Sequence, residues 1–385
     1  MTHRTPGPTW APILTLLPAL AVGCAADDPS APGDDSGAAG VAPEAFLAPD
    51  APGPYTPSTV TDEITPDHGV TLQVQAWYPS TEPAGTLHAY DGLIAGTASD
   101  GLAASCERAR PVMVFSHGNS GMRWQSLWMV EALAARGWVV VAPDHTFNTA
   151  FDMDNEKFAS LVFRRPVDAV ATFDWLVESL AAPGGLLDGC VDPDAGYAMA
   201  GHSFGGYTTY AVAGAAIDRD ASAAFCAEYG GWLCDEVAEY FAAHPDPSRV
   251  DLSDDRVWAA VPQTPAAYDA LVGGLADISV PVLTWGGGRD TLTPVEGVVR
   301  PLHEGLTTET AYLGVIVDAG HYSFSDACTL LGGYPDCQPP YREPAEVHAV
   351  ALQTTIAFLD GLRGFDEAAA WLPVDDAGLT WEGGE

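Results

Sequence analysis

A serine set among glycines occurs in the run Gly201-His202-Ser203-Phe204-Gly205-Gly206. A short apolar stretch, Tyr197 to Ala200, precedes it, and a helix-forming stretch, Tyr207 to Ile217, follows. Strand, sharp turn and helix in that order hold a serine hydroxyl out on a strained turn, and the glycines let strand and helix approach closely. Such a hydroxyl becomes a nucleophile once a base takes its proton. Gly286-Gly287-Gly288-Arg289-Asp290 follows a predicted strand ending at Trp285, and Asp318-Ala319-Gly320-His321 follows one ending at Val317. His321 would take the Ser203 proton on one ring nitrogen. Asp290 would hold the other nitrogen and stabilise the imidazolium. A glycine-rich helix start without chemistry would leave both partners unexplained.

Each of these residues has a plainer reading beside it. Asp290 could cap a helix beginning at Thr293-Pro294. Asp318 competes as the acid, but three residues before His321 on one turn it has trouble reaching the far side of the imidazole. His202 adjoins Ser203, yet neighbouring side chains on a sharp turn diverge, so it reads as structural. Two N–H donors are also needed for an oxyanion. One is the N–H of Phe204, the residue after the nucleophile. The other is the N–H of Asn119, in a loop where Gly118 frees the backbone to bend; an ordinary glycine turn is the alternative.

These groups need a scaffold of alternating strands and helices. Gly69 to Tyr78 alternates apolar and polar residues, as a half-buried strand does. Pro111 to Ser116 and Trp138 to Pro143 are β-branched runs of the kind buried on both faces. Trp124 to Arg136 has helical spacing and ends at Gly137, and Ala159 to Leu180 reads as a helix interrupted near Pro166. Arg256 to Val261, Val280 to Trp285 and Thr310 to Val317 supply further strands, and Pro344 to Leu362 a closing helix. The expected class is α/β, a mostly parallel central sheet with helices on both faces. Residues 218–255 break the alternation and carry Phe225, Tyr229, Trp232, Tyr240 and Phe241. They read either as a cap-like insertion offering aromatic surface to a substrate or as a packed surface element.

Taken together, Phe115-Ser116-His117-Gly118-Asn119, Ala142-Pro143-Asp144-His145, Arg165-Pro166-Val167-Asp168, the Ser203 motif and Gly320-His321-Tyr322-Ser323-Phe324-Ser325-Asp326 resemble a known group. That group is the platelet-activating-factor acetylhydrolase and dienelactone-hydrolase-like α/β hydrolases, with cutinase-type polyester hydrolases more distant. The likeness spans residues 55–360 and leans to the acetylhydrolase side. It implies an α/β-hydrolase domain over residues 55–362, with Ser203, Asp290 and His321 as triad and Asn119 and Phe204 as oxyanion donors. Dienelactone hydrolases proper use a cysteine where this chain has Ser203, so the implied chemistry is plain ester hydrolysis. No cofactor is implied. The rival readings are a serine peptidase and a surface lipoprotein that keeps the fold only for binding.

The charge is far from balanced: 52 acidic residues face 15 basic ones over 385 residues, net −37. Phosphate binding needs clustered Lys and Arg, so nucleic acid is excluded as an expected partner. Anionic lipid surfaces are repelled as well. The expected partner is a small-molecule or polymeric ester, and a monomer is expected. Residues 1–23 read as an export signal, with a short apolar core too brief to span a membrane. Ala21-Val22-Gly23-Cys24 resembles a bacterial lipobox, which would lipidate Cys24; cleavage after Ala21 is the alternative. Residues 25–54 read as a disordered tether and 363–385 as an acidic tail. A membrane would be reached only through the lipid, on an otherwise exported protein.

Removing Cys24 from seven cysteines leaves six, which can pair fully in an oxidising compartment. In the implied fold the strands after Cys106 and Cys190 are parallel neighbours, so these two are paired. Cys226–Cys234 and Cys328–Cys337 then close local loops. No Cys-x-x-Cys spacing supports zinc. The acidic loops at Asp188, Asp192 and Asp194 and at Asp152, Asp154 and Glu156 lack the glycine and terminal glutamate of a calcium loop. No metal site is expected.

Overall fold

The computed structural model describes residues 45–383. The expected signal segment, Cys24 and most of the tether lie outside the described residues, as do Gly384 and Glu385. The strands in chain order are β1 (Thr56–Ile64), β2 (Leu72–Ser80), β3 (Leu87–Tyr90), β4 (Ile94–Asp100), β5 (Val112–Ser116), β6 (Val139–Pro143) and β7 (Tyr197–His202). Short β8 (Ile217–Asp218) and β9 (Arg249–Val250) precede β10 (Val257–Gln263), β11 (Val282–Gly287), β12 (Ala311–Ile316) and β13 (Leu379–Glu382). Eleven of these form one sheet in the order β13-β12-β11-β10-β7-β5-β6-β2-β1-β4-β3, while β8 and β9 pair separately. From β12 to β6 every pairing is parallel; β2 and β13 join antiparallel at either side.

Strand β5 shows how the core is divided. Val112 and Val114 enter one buried cluster with Phe173 of helix α2 (Phe158–Trp175) and Tyr207 of α3 (Phe204–Val212). Met113 and Phe115 enter the other, with Leu133 of α1 (Leu127–Ala135) and Phe358 of the C-terminal helix Pro344–Leu362. Successive strand side chains point to opposite faces, so a β-branched strand covered on both sides must be apolar throughout. The α/β-hydrolase class expected from the sequence is the one observed.

Four expectations are corrected. Strand β2, the observed counterpart of the Gly69–Tyr78 run, is buried along nearly its whole length rather than half-buried, because Leu72, Val74 and Ala76 face one cluster while Trp77 faces the other. Helix α2 runs straight through Pro166 instead of breaking there. A proline leaves the carbonyl four residues earlier without its N–H partner; here the Tyr207 hydroxyl donates to that carbonyl, on Val162, at 2.8 Å. The supposed acidic tail returns as β13, with Trp381 stacked on Tyr312 at 5.1 Å. Finally, the end of the supposed tether is folded: the Arg136 guanidinium donates to the carbonyls of Leu47, Ala48 and Ala51.

Disulfides join Cys106 to Cys190, Cys226 to Cys234 and Cys328 to Cys337. Such bonds persist in oxidising compartments, as an exported protein would require. Among the described residues no helix is long and apolar enough to cross a membrane.

Candidate active site

Ser203 stands between β7 and α3 with φ 58° and ψ −115°. A non-glycine residue there stores strain on the order of 1–3 kcal/mol, and the surrounding structure must impose it. It does so through the Ser203 N–H, which donates to the Gln263 carbonyl on β10 at 2.8 Å, and through the close crossing of α3 over β5. A Cβ at Gly205 would lie 1.9 Å from the Ser116 carbonyl oxygen, so only glycine permits that crossing.

Asp290 lies on the turn after β11 and His321 on the turn after β12. His321 Nδ1 meets Asp290 Oδ2 at 2.7 Å. Asp290 Oδ1 accepts the N–H groups of Leu292 and Thr293 at 2.7 and 2.8 Å, and Thr293 Oγ1 donates to Oδ2 at 2.8 Å. Asp290 therefore closes the Leu292–Thr293 turn and meets the imidazole at once; it does not cap the next helix, which begins at Val295 without a side-chain cap. Burial alone would raise its pKa; the His321 contact and the Thr293 donors outweigh burial and lower it. Asp318 is instead paired with Arg289 at 2.8 Å on the surface. Nδ1 is engaged by Asp290 and Thr293, and among the described residues Nε2 of His321 makes no hydrogen bond.

His202 is buried and tied to the same loop. Its Nδ1 accepts from Gln125 Nε2 at 2.9 Å, so its Nε2 carries the proton and donates to the His321 carbonyl at 2.9 Å. Burial, then the neighbouring His321, pushes its pKa down to about 3, so it stays neutral. Gln125 Oε1 accepts the Gly118 N–H at 2.8 Å. One amide thus links the Gly118–Asn119 loop to the His321 loop. Sequence reasoning missed Gln125, because nothing in its local run marks it. Among the described residues, the N–H groups of Asn119 and Phe204 are taken up by no hydrogen bond. Asn119 is held at its side chain, where Oδ1 accepts from Asn148 Nδ2 at 2.7 Å.

Ser203, His321 and Asn119 line one cavity of about 470 Å³, together with Trp232, Leu292 and Tyr334. Among the described residues, no Asp, Glu, Lys or Arg lines it. Trp232 is the one aromatic of the insertion that reaches it. Tyr240 and Phe241 pack on Phe163 of α2, and Phe225 packs on Tyr268. The insertion is therefore mainly a packed element, with Trp232 as its single contribution to the cavity.

No protein-family model matches the sequence, and no curated protein matches it. Among solved structures, a ferulic acid esterase from Streptomyces cinnamoneus is similar, at 21% identity and a TM-score of 0.56, over 87% of this chain and 98% of that chain. Strand order, the turn at Ser203 and this likeness together establish the α/β-hydrolase fold.

Proposed function

We propose that the protein is a serine carboxylic-ester hydrolase acting on neutral, apolar esters, of the acetylhydrolase-like group. The observation that carries this reading is the convergence on one cavity of a strained Ser203, a His321 held by Asp290, and two unengaged N–H groups. Ser203 Oγ attacks the acyl carbon while His321 Nε2 takes its proton. The N–H groups of Asn119 and Phe204 receive the oxyanion. Collapse breaks the bond to the alkoxy oxygen, which receives from His321 the proton that Ser203 gave up; the alcohol leaves and an acyl-enzyme remains. Water, deprotonated by His321, attacks the ester carbon; the acid leaves and Ser203 recovers its proton. The absence of charge from the cavity lining favours neutral substrates, and the similar structure is that of an esterase, which agrees with the class.

The test is Ser203→Ala assayed on p-nitrophenyl esters of increasing chain length. A loss in kcat on the order of 10⁴-fold or more is expected, with the circular dichroism unchanged. Near-wild-type turnover would rule the reading out. We further propose export with lipidation at Cys24. Intact mass checks this: a mature chain starting at Val22 without acyl groups defeats it.

A further inference from the structure

Arg165 and Asp168 of α2 have no part in the steps above, yet both side chains are fully buried. Arg165 is 0% exposed. Its guanidinium donates to Asn148 Oδ1 at 2.6 Å, to the His117 carbonyl, to Ser116 Oγ at 3.2 Å and, through Nε, to Thr208 Oγ1 at 3.3 Å. It also lies 4.6 Å over the ring of Phe204. Two of these partners lead to Asn119. The His117 carbonyl precedes Gly118 and Asn119 in the chain, and Asn148 holds the Asn119 side chain at 2.7 Å. Two others lead to Phe204, through its ring and through Thr208, whose hydroxyl donates to the Phe204 carbonyl at 3.1 Å.

We infer that Arg165 is a positioning residue that holds both donors of the proposed oxyanion hole in register. The inference rests on the ester-hydrolase reading. A guanidinium offers five donors in a rigid fork, which suits oxygens fixed on separate elements; a lysine offers a point charge on a flexible stem. Packing α2 on the sheet would not by itself call for a cation, since a buried charge is strongly unfavourable unless compensated. The compensation is a hydrogen-bonded relay. Ser116 Oγ accepts from Arg165 and lies 2.9 Å from His145 Nε2, and His145 Nδ1 lies 2.9 Å from Asp168 Oδ2. His68 Nε2 completes it at 2.7 Å from Asp168 Oδ1. Burial, then the charge of Arg165, pushes His145 down to about 3, so it stays neutral and donates from Nδ1 while accepting at Nε2. Ser116, His145 and Asp168 repeat the residue types of a nucleophilic triad, but all three are 0% exposed and no substrate reaches them. Asp168 also pairs with Arg164 Nε at 3.5 Å, so this group compensates the charges of both arginines.

Because the donors act on charge that develops in the transition state, misplacing them lowers kcat and leaves ground-state binding alone. Arg165→Gln, Arg165→Lys and Asn148→Ala are compared with wild type on p-nitrophenyl butyrate. Arg165→Gln is expected to lose on the order of 10²-fold or more in kcat, the scale of one lost oxyanion donor, with KM within about threefold. Arg165→Lys should recover part of that loss, and Asn148→Ala should lose about tenfold with the same split. Affinity for a trifluoromethyl ketone, which Ser203 converts to a tetrahedral adduct, should fall in parallel, while affinity for the matching unreactive alcohol stays. Folded variants with wild-type kcat, or with equal loss for ketone and alcohol, overturn the inference while an active wild type keeps the ester reading. If the Arg165 variants do not fold, Asn148→Ala decides on the same two readouts. A wild-type enzyme inactive on every ester overturns the ester reading and this inference with it.

Discussion

At Asp290 one carboxylate satisfies a tight turn with one oxygen and orients an imidazole with the other. The turn fixes the carboxylate, so the histidine meets a partner that is already in place. Asp290→Asn keeps the shape but allows the wrong imidazole tautomer. A fall in kcat on the order of 10⁴-fold is expected, as for the same change in a protease triad. Asp318→Asn, which removes only a surface partner of Arg289, should leave kcat unchanged; the reverse ranking would transfer the acid role to Asp318. Asp326 makes a separate prediction. It caps the start of α1 by accepting the Trp128 N–H, and burial raises its pKa from an ordinary 3.8 to about 7, against the pull of the backbone donors. A carboxyl raised on folding contributes stability in full below its unfolded pKa, and that contribution is lost as pH rises through the folded value. Melting temperature should therefore fall between about pH 4 and pH 7, and Asp326→Asn should flatten that slope. An unchanged slope in the variant would show that other groups set it.

Two elements show packing overruling local pattern. Helix α2 keeps a proline in its interior because Tyr207, from α3, satisfies the carbonyl that the proline leaves bare. The insertion forms helices α4 (Arg219–Tyr229) and α5 (Cys234–Ala243), and its Tyr240 and Phe241 pack on α2. Trp232, 43% exposed, stands at the cavity against Phe204 and Phe158. Trp232→Ser should raise KM for longer acyl chains more than for acetate, since burial of each methylene is worth about 0.8 kcal/mol. Phe241→Ala should instead cost about 3–5 kcal/mol of stability, read by denaturant titration, with chain-length preference unchanged. Should Trp232→Ser leave that preference unaltered, the insertion contributes packing alone.

Across the whole molecule the charge of −37 meets a cavity without a charged lining. Discrimination against anionic esters then has two sources, the cost of desolvating an anion in an uncharged cavity and the repulsion of the summed surface field. Such a field is screened over roughly 10 Å at 0.1 M salt. The kcat/KM ratio of a neutral ester to a size-matched anionic ester should exceed one at low salt and shrink as salt rises. A salt-independent ratio would place the selectivity inside the cavity.

The sequence by itself determined the parts whose signals are local. Strand, turn and helix around Ser203 are written in adjacent residues, because glycine and apolar patterning act over a few positions. The loops bearing Asp290 and His321 are legible for the same reason, each following an apolar strand. Cysteine parity and the charge balance are also properties of the chain alone. Only the tertiary structure decided how distant groups meet. Gln125 joins the Gly118 loop to His202 at the end of β7, Arg165 joins β5 and its following loop to the Asn148 loop and α3, and β13 adds an edge strand where composition suggested a tail. Gln125 and β13 have no signature in their own neighbourhood, and the motif Arg165-Pro166-Val167-Asp168, though visible in the sequence, does not say which groups Arg165 meets. Hydrogen bonds and burial are set by which surfaces the fold brings together, and a buried polar group is stable only once its partners arrive from elsewhere.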